Sequence, residues 1–328
     1  MGKRTVIFRA DGGPTIGMGH FIRTLALAEM LNQDFYCVFA TCSPNEFQRN
    51  EIVKVCHKCI ELPYDDNSHF NVFLDLLLGD EIVVLDNYYF STDYQRAIKK
   101  KGCKLVCIDD THDKHFVSDI VINHGEGMNP KDYSREGYTK LLLGYKYALL
   151  RKEYLEPSRH DNQKKYACLV MMGGADPLNI TSKLLLFLSR CNFDKPIAVV
   201  VGPTNNVSLP DERFEPFKNI IARQVRDLML SAEFGILPAS TVAIEACAMR
   251  LPFLCGYFID NQTRVYGNIQ RLKLAECLDN FNSVTEKNFL NALEQIEKPI
   301  TKEAIREQQV KYLDKKSAIR LKEEILKL

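Results

Sequence analysis

The chain has 328 residues, 46% hydrophobic and 26% charged, a globular composition with length enough for two domains of ordinary size. A formal net charge of +1 removes any global electrostatic case for nucleic acid or an acidic membrane surface. No apolar run approaches a membrane span, and the opening Gly2-Lys3-Arg4-Thr5-Val6-Ile7-Phe8 enters a strand-like stretch rather than a signal peptide. A cytoplasmic monomer is expected.

Short β-rich runs alternate with helical stretches from end to end. The first series reads as strands at 5–10, 35–41, 82–86, 104–109, 120–123 and 141–143. A second follows at 167–172, 197–202, 220–222, 235–238 and 253–256. These are near-continuous apolar runs, as expected where helices cover both faces of a parallel sheet. The reading is α/β, with two Rossmann-like domains whose parallel sheets face each other across a cleft. The polar stretch 153–165, with Pro157 and clustered charges, reads as the linker. That sets an N-terminal domain over 1–152, a second over 165–301, and one long charge-laced helix over 302–328.

Eleven cysteines in a chain without an export signal read as small hydrophobes and not as a disulfide framework. Cys56-His57-Lys58-Cys59 supplies at most half a zinc site, with no second pair nearby. No clustered carboxylate or Cys/His set stands near the glycine-rich loops, so no metal and no cofactor are expected.

The richest segment is Arg9-Ala10-Asp11-Gly12-Gly13-Pro14-Thr15-Ile16-Gly17-Met18-Gly19-His20-Phe21-Ile22-Arg23. A strand gives way to a glycine-rich loop and then to a helix. Glycines such as Gly17 and Gly19 let the backbone approach a ligand, and the helix start favours phosphate or a leaving oxyanion. The spacing is neither a dinucleotide fingerprint nor an ATPase phosphate loop. His20 lies in the first helical turn, where the dipole favours a neutral imidazole able to accept a proton. A histidine that merely packs the helix end is the plain alternative.

A second loop, Met172-Gly173-Gly174-Ala175-Asp176-Pro177, repeats this strand–loop–helix logic, and Asp176 either caps its helix or meets a ligand. At the third, Ser240 and Thr241 are placed to donate to phosphate oxygens at a helix start. Glu245, one turn beyond Thr241, either accepts both hydroxyls of a ribose or faces solvent, the apolar helix favouring the first. Asn261 and Gln262 add amides past the strand at 253–256. Asp86-Asn87-Tyr88-Tyr89 closes a strand, so that a hydroxyl of Tyr88 or Tyr89 is expected to face the cleft. Asp109-Asp110 reads as a possible turn cap, and Arg151 either contacts diphosphate or is solvated.

Taken together, these blocks resemble the UDP-2,4-diacetamido-2,4,6-trideoxy-β-L-altropyranose hydrolases of pseudaminic acid biosynthesis. The resemblance rests on Arg9-Ala10-Asp11…Gly17-Met18-Gly19-His20-x-x-Arg23, Asp86-x-Tyr88, Asp109-Asp110, Tyr147-x-Leu149-Leu150-Arg151, Gly173-Gly174-x-Asp176-Pro177, Ser240-Thr241…Glu245 and Asn261-Gln262. The blocks occur in the same order over roughly residues 4–275, far more specific than one motif. The chain departs from the pattern at Pro238-Ala239 and at Ile244.

The resemblance implies a GT-B fold and a metal-independent, inverting hydrolysis of a UDP-sugar. His20 would activate water and Tyr88 would position it. UDP would sit on Gly174, Ser240, Thr241, Glu245 and Asn261, and Asp11, Gly17, Gly19, Arg23, Arg151, Gly173, Asp176 and Gln262 would complete the substrate site. A glycosyltransferase of the same fold and a non-catalytic nucleotide-sugar-binding protein are the alternatives.

Overall fold

A computed structural model describes residues 2–13, 16–64, 68–156, 164–173, 176, 178–202, 205 and 207–328. The chain divides into two compact units, one of residues 1–152 with 316–328 and one of residues 153–315.

In the first unit the strands are β1 (Thr5–Ala10), β2 (Tyr36–Cys42), β3 (Lys58–Leu62), β4 (Ile82–Asp86), β5 (Lys104–Ile108), β6 (Ile120–Asn123) and β7 (Lys140–Leu143). They form a parallel sheet in the order β3-β2-β1-β4-β5-β6-β7. Between them run α1 (Gly19–Leu31), α2 (Glu46–Val55), α3 (Ser68–Asp75) and α4 (Thr92–Lys100), and α5 (Lys152–Leu155) spans the change from the first unit to the second. Both faces of the sheet are covered, which is why every residue of β4 is buried. Phe8, Phe21, Phe39 and Leu25 pack on one side; Ile7, Val38, Val83 and Phe73 pack on the other.

The second unit holds β8 (Tyr166–Met171), β9 (Ile197–Val201), β10 (Phe214–Lys218), β11 (Ala232–Pro238), β12 (Phe253–Tyr257) and β13 (Glu276–Asn280). Its parallel sheet has the order β10-β9-β8-β11-β12-β13. The helices are α6 (Ile180–Ser189), α7 (Ala222–Ser231), α8 (Thr241–Ala248), α9 (Thr263–Leu272), α10 (Glu286–Glu297) and α11 (Pro299–Tyr312).

Two sequence expectations are corrected. The strand expected at 220–222 lies earlier, at β10, and Ala222 already begins α7. β10 was hidden because Phe214-Glu215-Pro216-Phe217-Lys218 alternates, as befits an edge strand with one face open, and carries a proline. The single C-terminal helix expected over 302–328 is two helices, α11 and α12 (Ser317–Ile325). The chain breaks where Lys315 turns left-handed, at φ 60°. Arg250 closes the end of α11 by donating to the Gln309 and Leu313 carbonyls. α12 then packs on the first unit, with Leu321 and Ile325 in its core. Among the described residues no helix is long and apolar enough to cross a membrane.

Candidate active site

The ligand-binding edge of a parallel sheet is the carboxyl end of its strands, where chain order switches direction. In the first unit that switch falls between β1 and β4, whose ends are in register at Ala10 and Asp86. In the loop leaving β1, Gly13 and Gly17 exchange reciprocal backbone hydrogen bonds of 3.1 and 2.8 Å. Gly17 is left-handed at φ 75°, a conformation that glycine adopts without strain. A Cβ on Gly12 would lie 2.8 Å from Phe21 Cβ, so that glycine lets the loop lie against α1. α1 then starts at Gly19 with no side-chain cap at Met18.

His20, Arg23 and Thr24 sit at i, i+3 and i+4 on one face of α1, and all three converge on Asp86. His20 Nδ1 lies 2.7 Å from Asp86 Oδ1. Arg23 donates through Nη2 and Nε to the two Asp86 oxygens, both at 2.6 Å, and Thr24 Oγ1 donates to Oδ2 at 2.8 Å. Arg23 Nη1 reaches onward to both oxygens of Asp110 at 2.7 Å. The Tyr88 hydroxyl donates to Asp110 at 3.2 Å, and its ring stands edge-on to His20 with centroids 4.6 Å apart. His20 and Asp86 are buried, whereas Tyr88 is 51% exposed. A pocket of about 20 Å³, lined by His20, Asp86, Tyr88, Asp110 and Lys114 among others, has room for about one water.

The charges settle one another. Burial opposes the Asp86 carboxylate, but Arg23 and His20 together hold Asp86 well below the usual carboxylate range. Asp110 is lowered in the same way, with burial opposed by Arg23 and then His124. Burial and the Asp110 charge push the Tyr88 phenol up to about 12. His20 Nδ1 also lies 3.0 Å from Arg23 Nη2, so the Asp86 carboxylate and the Arg23 guanidinium both face that nitrogen.

Sequence reasoning placed His20 and Tyr88 together, and the structure brings them into contact. Arg23 is buried against His20 and Asp11 is buried in a neighbouring cluster with Arg9, and the polar atoms of both are engaged by protein partners. Asp11 Oδ1 accepts from Arg9, Thr41 and the Cys42 amide, and Oδ2 accepts from the Tyr89 hydroxyl. Asp86, Thr24, Lys114 and His124 were not singled out as site residues. The i, i+3, i+4 spacing of His20, Arg23 and Thr24 was a usable signal for a shared partner at a strand end.

In the second unit Gly173 is left-handed at φ 93° immediately beyond β8, while Gly174 lies outside the described residues. Asp176 caps α6: its two oxygens accept the Ile180 and Thr181 amides at 2.8 and 2.7 Å. Ser240 is the N-cap of α8 and its side chain makes no capping bond, so its hydroxyl and that of Thr241 stand at the helix start. Glu245 is buried on the same helix. Gln262 is buried and its Oε1 accepts the Phe258 amide at 3.0 Å, bracing the loop after β12, whereas neighbouring Asn261 is exposed. Arg151 is half-buried at the start of α5.

No protein-family model matches the chain. It is 26% identical over 269 residues to the UDP-2,4-diacetamido-2,4,6-trideoxy-beta-L-altropyranose hydrolase of Campylobacter jejuni, covering 78% of this chain and 93% of that protein. It is 28% identical over 275 residues to the spore coat polysaccharide biosynthesis protein SpsG of Bacillus subtilis, 77% of each. An uncharacterized protein, MJ1062, of Methanocaldococcus jannaschii is 26% identical over 306 residues, 87% of this chain and 60% of that one. Among solved structures, MurG of Acinetobacter baumannii matches with a TM-score of 0.64 at 12% identity, covering 99% of this chain and 100% of that one. The calicheamicin glycosyltransferase CalG4 matches with a TM-score of 0.64 at 12% identity, covering 99% and 98%. The fold is of the GT-B class, two parallel-sheet α/β units as in these glycosyltransferases.

Proposed function

We propose that the chain hydrolyses a UDP-2,4-diacetamido-2,4,6-trideoxyhexose, with inversion, in the biosynthesis of a nonulosonic (pseudaminic) acid. The observation that carries this reading is the buried His20–Asp86 pair with Tyr88 above it, beside a pocket of about 20 Å³ that fits one water. Its likeness to the Campylobacter jejuni hydrolase supports the choice of substrate class. Water attacks the anomeric carbon, its oxygen bonding as the bond from that carbon to the UDP oxygen breaks. The water proton passes to His20 Nε2, and UDP departs as an anion. UDP is a good leaving group, so one base and fixed charges suffice for the chemistry. The second unit is assigned the nucleotide, through Gly173, Gly174, Ser240, Thr241, Glu245 and Asn261, with Asp176 and Gln262 shaping their loops. Gly17, Gly19 and Arg151 are assigned to the substrate as well, and Asp11 and Arg23 act through their protein partners.

The test is UDP release from UDP-diacetamido sugars with no acceptor present. Steady release is expected, and release only after an acceptor is added would instead make the chain a transferase. Binding without any release would leave it a nucleotide-sugar-binding protein. His20→Ala is expected to lower kcat by about 10²–10⁴-fold at unchanged UDP affinity. A folded, UDP-binding His20→Ala protein with near-normal turnover would remove the base assignment.

A further inference from the structure

Beyond β4 the chain serves two buried centres with alternate residues. Asp86 and Tyr88 contact His20, Arg23 and Asp110. Asn87 and Tyr89 contact a second charged centre built on Arg9 and Asp11. Arg9 is wholly buried at the end of β1, 2.6 Å from Asp11 and with its guanidinium 5.4 Å from the Phe90 ring centroid. It also donates to His69 Nδ1 at 3.1 Å and approaches Cys42 Sγ at 3.2 Å. Asn87 Oδ1 accepts the Asp11 amide at 2.8 Å and the Tyr89 hydroxyl at 3.1 Å, and Tyr89 donates to Asp11 Oδ2 as well.

A buried ion pair of this kind adds little net stability, because desolvating both charges offsets their attraction. What it does supply is a fixed acceptor. Tyr88 needs one. Half-exposed, with its hydroxyl on Asp110 and its ring against His20, it depends for its place on the backbone either side of it. Lys114 holds that backbone from one direction, donating to the Tyr88 and Phe90 carbonyls at 2.8 and 3.3 Å. The Asp11–Tyr89–Asn87 knot holds it from the other.

We propose that Tyr89, anchored on Asp11, is a positioning residue for Tyr88, fixing the segment so that the Tyr88 ring stays against His20. This rests on the assignment of His20 and Tyr88 to the reacting centre. Tyr89 touches neither His20 nor the water pocket in this reading and acts through its neighbour.

The experiment is a double-mutant cycle in the UDP-release assay, paired with amide hydrogen exchange. Tyr89→Phe removes one hydroxyl and keeps the ring. It is expected to lower kcat about 3–10-fold, the effect of losing one partly buried hydrogen bond, with KM unchanged. In a Tyr88→Ala background the same substitution is expected to have no further effect. Penalties that multiply independently, or a change confined to KM, would overturn the proposal. Exchange over residues 86–90 is expected to rise in Tyr89→Phe even in the absence of substrate, and unchanged exchange would equally overturn it. Absence of turnover in the unsubstituted protein would count against the hydrolase reading, while the exchange result would still decide the tether.

Discussion

At His124, burial and the neighbouring Arg23 act in the same direction, pushing the imidazole down to about 4 against the weaker pull of Asp110 and Asp86. The Leu149 amide donates toward Nδ1 at 3.4 Å, so the neutral ring carries its proton on Nε2. This histidine follows β6 at the same sheet edge as Asp86 and Asp110, yet no motif points to it. Its consequence is for stability. The folded value lies below the unfolded value of 6.5, so the unfolded chain binds the extra proton first. The contribution is fully present above about 6.5 and is lost as pH falls from there through about 4, some ~3 kcal/mol in all. Asp86 and Asp110, lowered by Arg23, withdraw their contributions only below the ordinary carboxylate value of 3.8. The windows separate. Chemical denaturation of the protein between pH 7 and 4.5 is expected to show a decline that His124→Gln flattens, and an equal decline in that variant would assign the loss elsewhere.

The elements that carry the candidate site residues repeat one device three times: a largely buried strand, a connecting segment, and a helix. That device was legible because β1, β8 and β11 are largely apolar runs with a glycine or serine two positions beyond their ends, Gly12, Gly173 and Ser240. β3 and β13 were not, since Lys58-Cys59-Ile60-Glu61-Leu62 and Glu276-Cys277-Leu278-Asp279-Asn280 carry charge into outer strands that the sheet covers on fewer sides. The partners of the site were harder still. Asp86 and His20 are 66 residues apart, and only the parallel register of β1 with β4 brings them to one edge. Asp176 looked equally suited to a ligand or a cap because both uses need a carboxylate ahead of a helix. α8 leaves the sharpest question of this kind. Glu245 is 4% exposed on a helix otherwise built of Val242, Ala243, Ile244, Ala246, Cys247 and Ala248. If that carboxylate accepts ribose hydroxyls, Glu245→Ala is expected to weaken UDP binding by about 1–3 kcal/mol. Titration calorimetry showing full UDP affinity in the variant would confine Glu245 to a structural role.

Across the whole molecule the chain crosses from the first unit to the second and comes back. The first unit is therefore incomplete until residues 316–328 have been made, after all of the second unit. What ties the returning helix down is mostly apolar. Leu321 and Ile325 are fully buried against a core that includes Leu25, Leu31 and Leu149. Around them Glu324 pairs with Lys140, Lys322 pairs with Asp34 at 3.0 Å, and Arg320 donates to the Lys146 carbonyl at 3.2 Å. Those surface contacts are worth little each, since solvent and side-chain entropy offset most of their attraction. The apolar pair decides the matter. Leu321→Ala leaves a cavity that the flanking strands and α1 cannot readily close, an expected loss of about 2–5 kcal/mol to the first unit. Lys322→Ala on the exposed side is expected to cost under about 1 kcal/mol. With two units the unfolding is not to be read as one transition, so hydrogen exchange resolved by segment is the measurement. Leu321→Ala should raise exchange in β1, β4 and α1 while leaving β8 and β11 as they were. Uniform loosening of both units, or a Lys322→Ala effect as large as that of Leu321→Ala, would show that α12 is held by something other than its buried face.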